Sequence, residues 1–406
     1  MSNFPELKIP HTLAAGPGPG NTDPRVLAAF ANQGVADHMQ VDVLRGMIEA
    51  KIMLREVFGT KNIYTFGVAG TGWSGLDCVH SAILPGDKVV VFVNGTFSGI
   101  DCLSIRMKAS RVEDLAANPI DPQPANVITV TVPHGQSVTG DIVDAALAEH
   151  KPMFAFMAHW ETGSGRINDL QGFNDACVKH DAMGMVDAVS SLGIDKFNID
   201  DFPGVGMWAS CPQKGILGLP MTYAPVSFTD KAIELFKTRG CYSFVHNPIL
   251  EARHWAILDG QDAAAGTYHR THSPYAVASF HEALRLLLQH GRDKKAADYV
   301  SSEKVLREAV AAMGCDVTSN MTSLIVLNLP GEFAGREKEL VGACRAAGFA
   351  IWPTLSEPVQ IRIGILNQLT NASLTDIINR FADALQVMGV EFDKAPIMAD
   401  VAKKLS

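Results

Sequence analysis

Nowhere in this chain do about 18 apolar residues run together, so no membrane-spanning helix is expected. A basic stretch followed by an apolar one, the mark of a secretory leader, is missing from the first residues. Cysteine is sparse and unpatterned. The seven, Cys78, Cys102, Cys177, Cys211, Cys241, Cys315 and Cys344, are widely scattered and include no Cys-x-x-Cys pair. That argues against a disulfide framework and for free thiols in a reducing cytoplasm. Lys/Arg-rich runs are lacking too, and 34 basic residues against 43 acidic ones give a formal net charge of -9. Nucleic acid is therefore not an expected partner. There is no low-complexity tract, and a composition of 47% hydrophobic and 19% charged residues is that of a globular protein. With 406 residues the chain is too long for one ordinary core, so two domains are expected.

Most of the chain alternates apolar runs with helical patterns. Runs at Ile63 to Phe66, Lys88 to Val93, Val127 to Val132, Met153 to Ala158, Met183 to Val186, Val205 to Ala209 and Met221 to Val226 read as buried strands. Helical spacing is seen over 24–57, Trp73 to Leu84, Ile142 to Glu149 and Leu170 to His180. This alternation predicts an α/β fold with a mostly parallel sheet covered on both faces. Its ligand should lie beyond the carboxyl ends of the strands. After residue 273 the pattern changes: helices over 274–289, 299–313, 336–347 and 373–388 surround strands Leu324 to Leu329 and Gln360 to Leu366. The reading is an N-terminal arm over 1–22, a large domain over 23–285 and a smaller α+β domain over 286–406.

Two strand ends carry chemistry. Val205 to Ala209 leads through Ser210-Cys211-Pro212-Gln213 to Lys214, and Met183 to Val186 delivers Asp187. Taken singly, these fit a snorkelling lysine and a capping aspartate. Together they fit one cofactor, because pyridoxal phosphate has an aldehyde for a lysine and a ring nitrogen for an aspartate. The glycine-rich turn Gly67-Val68-Ala69-Gly70-Thr71-Gly72 between a strand and a helix makes an anion site from unpaired amides and the helix dipole. It is not a clean G-x-G-x-x-G, which weighs against a nucleotide-binding dehydrogenase. Gly16-Pro17-Gly18-Pro19-Gly20 can form neither helix nor strand; it is a flexible segment or a backbone laid against a ligand. The His269-x-x-His272 spacing also allows a metal, although no further ligands stand nearby in sequence.

The chain resembles the class V aminotransferases of pyridoxal-phosphate fold type I, and among them most of all the alanine-glyoxylate aminotransferases. The likeness runs nearly end to end. It is carried by Gly16-Pro17-Gly18-Pro19, Pro85-Gly86-Asp87, Asn94-Gly95, His150-Lys151-Pro152 and His159-x-Glu161-x-x-x-Gly165, then Val186-Asp187-x-Val189-x-Ser191-Leu192-Gly193, Gln213-Lys214, Tyr268-His269-x-Thr271 and Arg362-Ile363-Gly364. The resemblance implies that Lys214 binds the cofactor and moves the substrate proton, and that Asp187 pairs with the ring nitrogen. It places Phe97 and Val189 on the two ring faces and Thr162 at the ring hydroxyl. Thr71, Gly72, Trp73 and Gln213 fall at the phosphate. Tyr268 and Thr271 map onto residues that complete the partner's phosphate site, which implies a homodimer. Arg362 and the Gly16 backbone fall at the substrate carboxylate, and His38 in a substrate-side segment.

The implied activity is transfer of an amino group from a small amino acid, of alanine or serine type, to a small 2-oxo acid such as glyoxylate or pyruvate, with ping-pong kinetics. The alternatives keep the cofactor and change the donor, to ureidoglycine or 2-aminoethylphosphonate, or change the chemistry to that of a lyase or desulfurase. No cysteine stands in a recognisable reactive loop, which disfavours the desulfurase.

Overall fold

The structure is a computed structural model that describes residues 4–9, 12–32, 34, 37–366 and 370–406. A seven-stranded sheet comprises β1 (Tyr64–Ala69), β2 (Val89–Val93), β3 (Val127–Thr131), β4 (Phe154–Ala158), β5 (Met183–Asp187), β6 (Val205–Ala209) and β7 (Tyr223–Phe228). Their order is β1-β7-β6-β5-β4-β2-β3. β7 runs antiparallel to both of its neighbours, and the other neighbouring pairs are parallel. Unbroken apolar runs account for this. Val89 to Phe92 and the whole of β4, β5 and β6 are buried, as strands with both faces covered must be. The expected strands are all found, with the first ending at Ala69 rather than Phe66 and the last lying at Tyr223–Phe228.

Because all strands but β7 point one way, the ends of β1, β2, β4, β5 and β6 share one edge. Asp187 closes β5 there, flanked across the ladder by Ala158 and Ala209, whose small side chains leave room beside its carboxyl. Three helices matter at this edge or behind it: α1 (Val41–Phe58), α2 (Gly72–His80), which begins directly after β1, and α3 (Thr96–Ala109), which follows β2. The helical spacing expected over 24–57, with Val26, Leu27 and Phe30 in one stretch and Val43, Leu44, Met47 and Ile48 in the next, is two helices, Pro24–Phe30 and α1. Between them the Gly34 amide bonds the Asn32 side chain at 3.0 Å, a local turn that competes with helix. Residues 33, 35 and 36 of that stretch, and 1–3, 10 and 11 of the expected arm, lie outside the described residues.

After α4 (Pro274–His290), Gly291 at φ +89° ends one helix and starts the next, α5 (Arg292–Ala312), which therefore begins earlier than the expected 299. A second, antiparallel sheet follows: β8 (Asp316–Val317), β9 (Leu324–Asn328), β10 (Trp352–Pro353) and β11 (Ile361–Gly364), in the order β8-β9-β11-β10. Helices Glu337–Ala346 and Asn371–Val387, with an unanticipated one at Lys394–Leu405, pack with it. This sheet has its own hydrophobic cluster, which also takes in Ala15, Trp160 and Ile194 from earlier in the chain. Leu13–Ala14 pairs in parallel with Phe349–Ala350 as a two-stranded sheet of its own, so the Gly16 to Pro19 stretch starts beside the hydrophobic cluster of the second sheet.

Candidate active site

At that edge lies a cavity of about 160 Å³ lined by, among others, Gly72, Trp73, Phe97, Thr162, Asp187, Val189, Gln213 and Lys214. Eight of the residues singled out from the sequence thus meet in one place, although they span more than 140 positions of the chain. The Lys214 Nζ donates to the Ser190 hydroxyl at 2.8 Å and stands 5.6 Å from the centre of the Phe97 ring. Burial lowers its pKa, against the opposing pull of Cys211, Asp187 and Glu161. Gly18, at φ +115°, brings the N-terminal segment over this lysine: a Cβ there would come within 3.2 Å of Lys214 Cε.

Asp187 Oδ1 accepts from the Val189 amide at 2.6 Å, and burial pushes the carboxyl up to about 7. A carboxyl so raised is a poor anion until a cation arrives beside it. The α2 N-terminus faces the cavity through Gly72 and Trp73; the Thr71 side chain makes no capping bond there and its carbonyl takes the Ser74 amide at 2.9 Å, which leaves the Gly72 and Trp73 amides to a ligand. Gln213 Oε1 is buried with no hydrogen-bond partner among the described residues. A buried lysine, a carboxyl awaiting a cation, a helix N-terminus and the Phe97 and Val189 side chains, all lining one cavity, are a set that pyridoxal phosphate would fit.

Arg362 adjoins the cavity through Thr162, which lines it. It is buried, and its guanidinium donates to the Pro353 carbonyl at 2.8 and 3.1 Å and to the Thr162 carbonyl at 3.3 Å. No carboxylate of the described residues pairs with it, and burial lowers its pKa to about 10. Gly16 runs beside the same strand, since Gly364 of β11 donates to the Ala15 carbonyl at 2.8 Å. His38, Tyr268 and Thr271 are not part of the cavity. Tyr268 is exposed, with its hydroxyl 3.1 Å from that of Thr271 and its ring edge-on to His38 at 6.0 Å, so the three form a separate surface group.

Three residues near Lys214 had been given no role from the sequence. Ser190 receives the Lys214 amine, and Trp160 lines the cavity. Glu161 caps α3: its carboxylate takes the Ser98 amide and hydroxyl, each at 2.7 Å, and the Phe97 amide at 3.3 Å. All three sit inside the matched motifs, but nothing in their spacing tells that they turn inward.

The sheet order, the buried lysine after β6 and the carboxyl ending β5 define a pyridoxal-phosphate-dependent transferase of fold type I. No family model matches the chain. Over 292 residues, 71% of this chain and 69% of the relative, it is 32% identical to the alanine-glyoxylate aminotransferase of Oryctolagus cuniculus. The crystal structure of ureidoglycine-glyoxylate aminotransferase from Bacillus subtilis matches with a TM-score of 0.86 at 20% identity, covering 98% of this chain and 99% of that one. The alanine-glyoxylate aminotransferase from Nostoc sp. matches at 0.84 and 24% identity, over 95% and 98%. The chain belongs to the class V aminotransferases, in the group of the alanine-glyoxylate aminotransferases, and is a pyridoxal-phosphate-dependent aminotransferase.

Proposed function

We propose that the enzyme moves the amino group of a small amino acid, of alanine or serine type, to a small 2-oxo acid, glyoxylate or pyruvate. Arg362 carries this reading. A buried guanidinium beside the cavity-lining Thr162, bonded to carbonyl oxygens and to no carboxylate of the described residues, is a two-pronged site for the α-carboxylate that both substrates share. The Gly16 backbone lies on the other side of that carboxylate, and His38, in the surface group with Tyr268, serves the approach to the substrate site of a second copy.

Bound pyridoxal phosphate supplies an aldehyde for amine exchange and a ring that accepts the electrons of the substrate Cα-H bond. The protein does the rest. Lys214 takes the Cα proton and returns it, and its lowered pKa suits a base working near neutrality. Asp187 holds a proton on the ring nitrogen. Thr162 meets the ring hydroxyl, Phe97 and Val189 close the ring faces, and Thr71, Gly72, Trp73 and Gln213 receive the phosphate. Tyr268 and Thr271, exposed and away from their own chain's cavity, complete the phosphate site of a second copy in a homodimer. Free thiols at all seven cysteines accord with a cytoplasmic setting.

Initial rates across a panel of donors against glyoxylate and pyruvate test the assignment. Double-reciprocal lines should be parallel, with alanine or serine the best donor; intersecting lines would contradict a two-half reaction. The likeness to the ureidoglycine enzyme favours one rival donor. Turnover of ureidoglycine far above that of alanine and serine would replace the first reading with it.

A further inference from the structure

Lys295 stands in the first turn of α5 and is 1% exposed. Its Nζ donates to the Gly215 carbonyl at 2.6 Å and lies 5.8 Å from the centre of the Tyr299 ring. No carboxylate of the described residues offsets its charge, and burial alone pushes its pKa down to about 7. A helix N-terminus is also the wrong end for a cation, because the dipole there is positive. An apolar side chain of the same length would pack this position with less penalty. What the amine reaches is informative, because Gly215 directly follows Lys214.

Gly215 is wedged from the other side. A Cβ there would fall 2.1 Å from the Leu192 carbonyl oxygen and 2.8 Å from Ile194 Cγ1. The same 190–194 turn supplies the Ser190 hydroxyl that receives the Lys214 amine. The backbone at Lys214 is thus clamped between that turn and Lys295. Through Tyr299, Val305 and Leu306, α5 belongs to the hydrophobic cluster of the second sheet, so Lys295 ties that unit to the backbone bearing the reactive lysine.

We propose that Lys295 is a positioning residue for Lys214: by holding the Gly215 carbonyl it fixes where the Lys214 amine stands relative to the substrate Cα. The proposal rests on Lys214 being the cofactor lysine. Methionine at 295 keeps the length and removes the donor, whereas arginine restores a donor.

The test compares the purified holoenzymes of the wild type, Lys295→Met and Lys295→Arg. In Lys295→Met the loss of a buried charge and the loss of the Gly215 carbonyl's donor act on stability in opposite directions, and thermal melts give the folded fraction. The kcat of this variant should fall by roughly ten- to a hundredfold, as expected when a catalytic group is slightly misplaced. The donor KM should change by less than about twofold, and the pH midpoint of the cofactor absorbance should move by about half a unit or more. Lys295→Arg should recover most of the rate. Should the methionine variant not fold, Lys295→Gln, whose donor is too short for Gly215, carries the same expectation. Wild-type kcat and midpoint in the variant overturn the proposal, as does a kcat lowered only in step with the folded fraction. Borohydride labelling of the wild type separates the two levels: labelled Lys214 with an unaffected variant removes Lys295 alone, and an unlabelled Lys214 removes both readings.

Discussion

Asp187 shows how one buried carboxyl can record the cofactor in the stability of the whole protein. In the cofactor-free state its pKa is raised from 3.8 to about 7 by burial, so folding holds a proton that the unfolded chain releases at lower pH. The stabilisation from this group is complete below the unfolded value, declines as pH rises and is lost above about 7. The cofactor-free protein should therefore melt at falling temperatures as pH is raised from about 4 to 7. Asp187→Asn should flatten that slope in thermal melts, and an unchanged slope would contradict the assignment. On the proposed pairing of Asp187 with the ring nitrogen, the same change in the holoenzyme should cost about 1.4 to 4 kcal/mol, or roughly ten- to a thousandfold in kcat. Arg362→Lys keeps the charge and discards the planar fork. The KM of carboxylate donors should rise roughly ten- to a hundredfold, or about 1.5 to 3 kcal/mol, with the cofactor absorbance unaltered.

At the scale of elements, α3 depends on a residue far from it in sequence. The N-cap is Gly95, which offers no side chain, and the carboxylate that serves the first turn belongs to Glu161, 63 positions from Ser98. Glu161→Gln should destabilise the protein by about 1 to 3 kcal/mol in urea unfolding, since buried charge-assisted bonds weaken. Cofactor affinity should fall with it, because Phe97 stands in the first turn of α3. This dependence also marks what the sequence could and could not tell. The strands of the large sheet were legible because burial on both faces writes them as unbroken apolar runs, and Asp187 and Lys214 were legible because they follow such runs. α3 was not, because its capping partner comes from the short strand Trp160–Glu161 after β4 rather than from its own first residues. The Lys214 to Ser190 bond and the burial of Lys295 were hidden for the same reason: each depends on which turns meet in space.

At the scale of the molecule, the surface group of Tyr268, Thr271 and His38 makes sense with a second copy against it. We propose a homodimer in which each subunit finishes the other's phosphate site, on the large domain expected over 23–285. Light scattering should give about twice 43.6 kDa. Hybrid dimers formed from Lys214→Ala and Tyr268→Ala subunits should regain activity at limiting cofactor, since one of the two sites then has both residues intact. No recovery in the hybrids would place Tyr268 outside the partner's site. All of these expectations converge on one amine. Borohydride reduction of the yellow holoenzyme, followed by peptide mass analysis, should find the phosphopyridoxyl group on Lys214. A group found on another lysine, Lys295 included, or no group on a protein that stays colourless with added pyridoxal phosphate, would contradict the account.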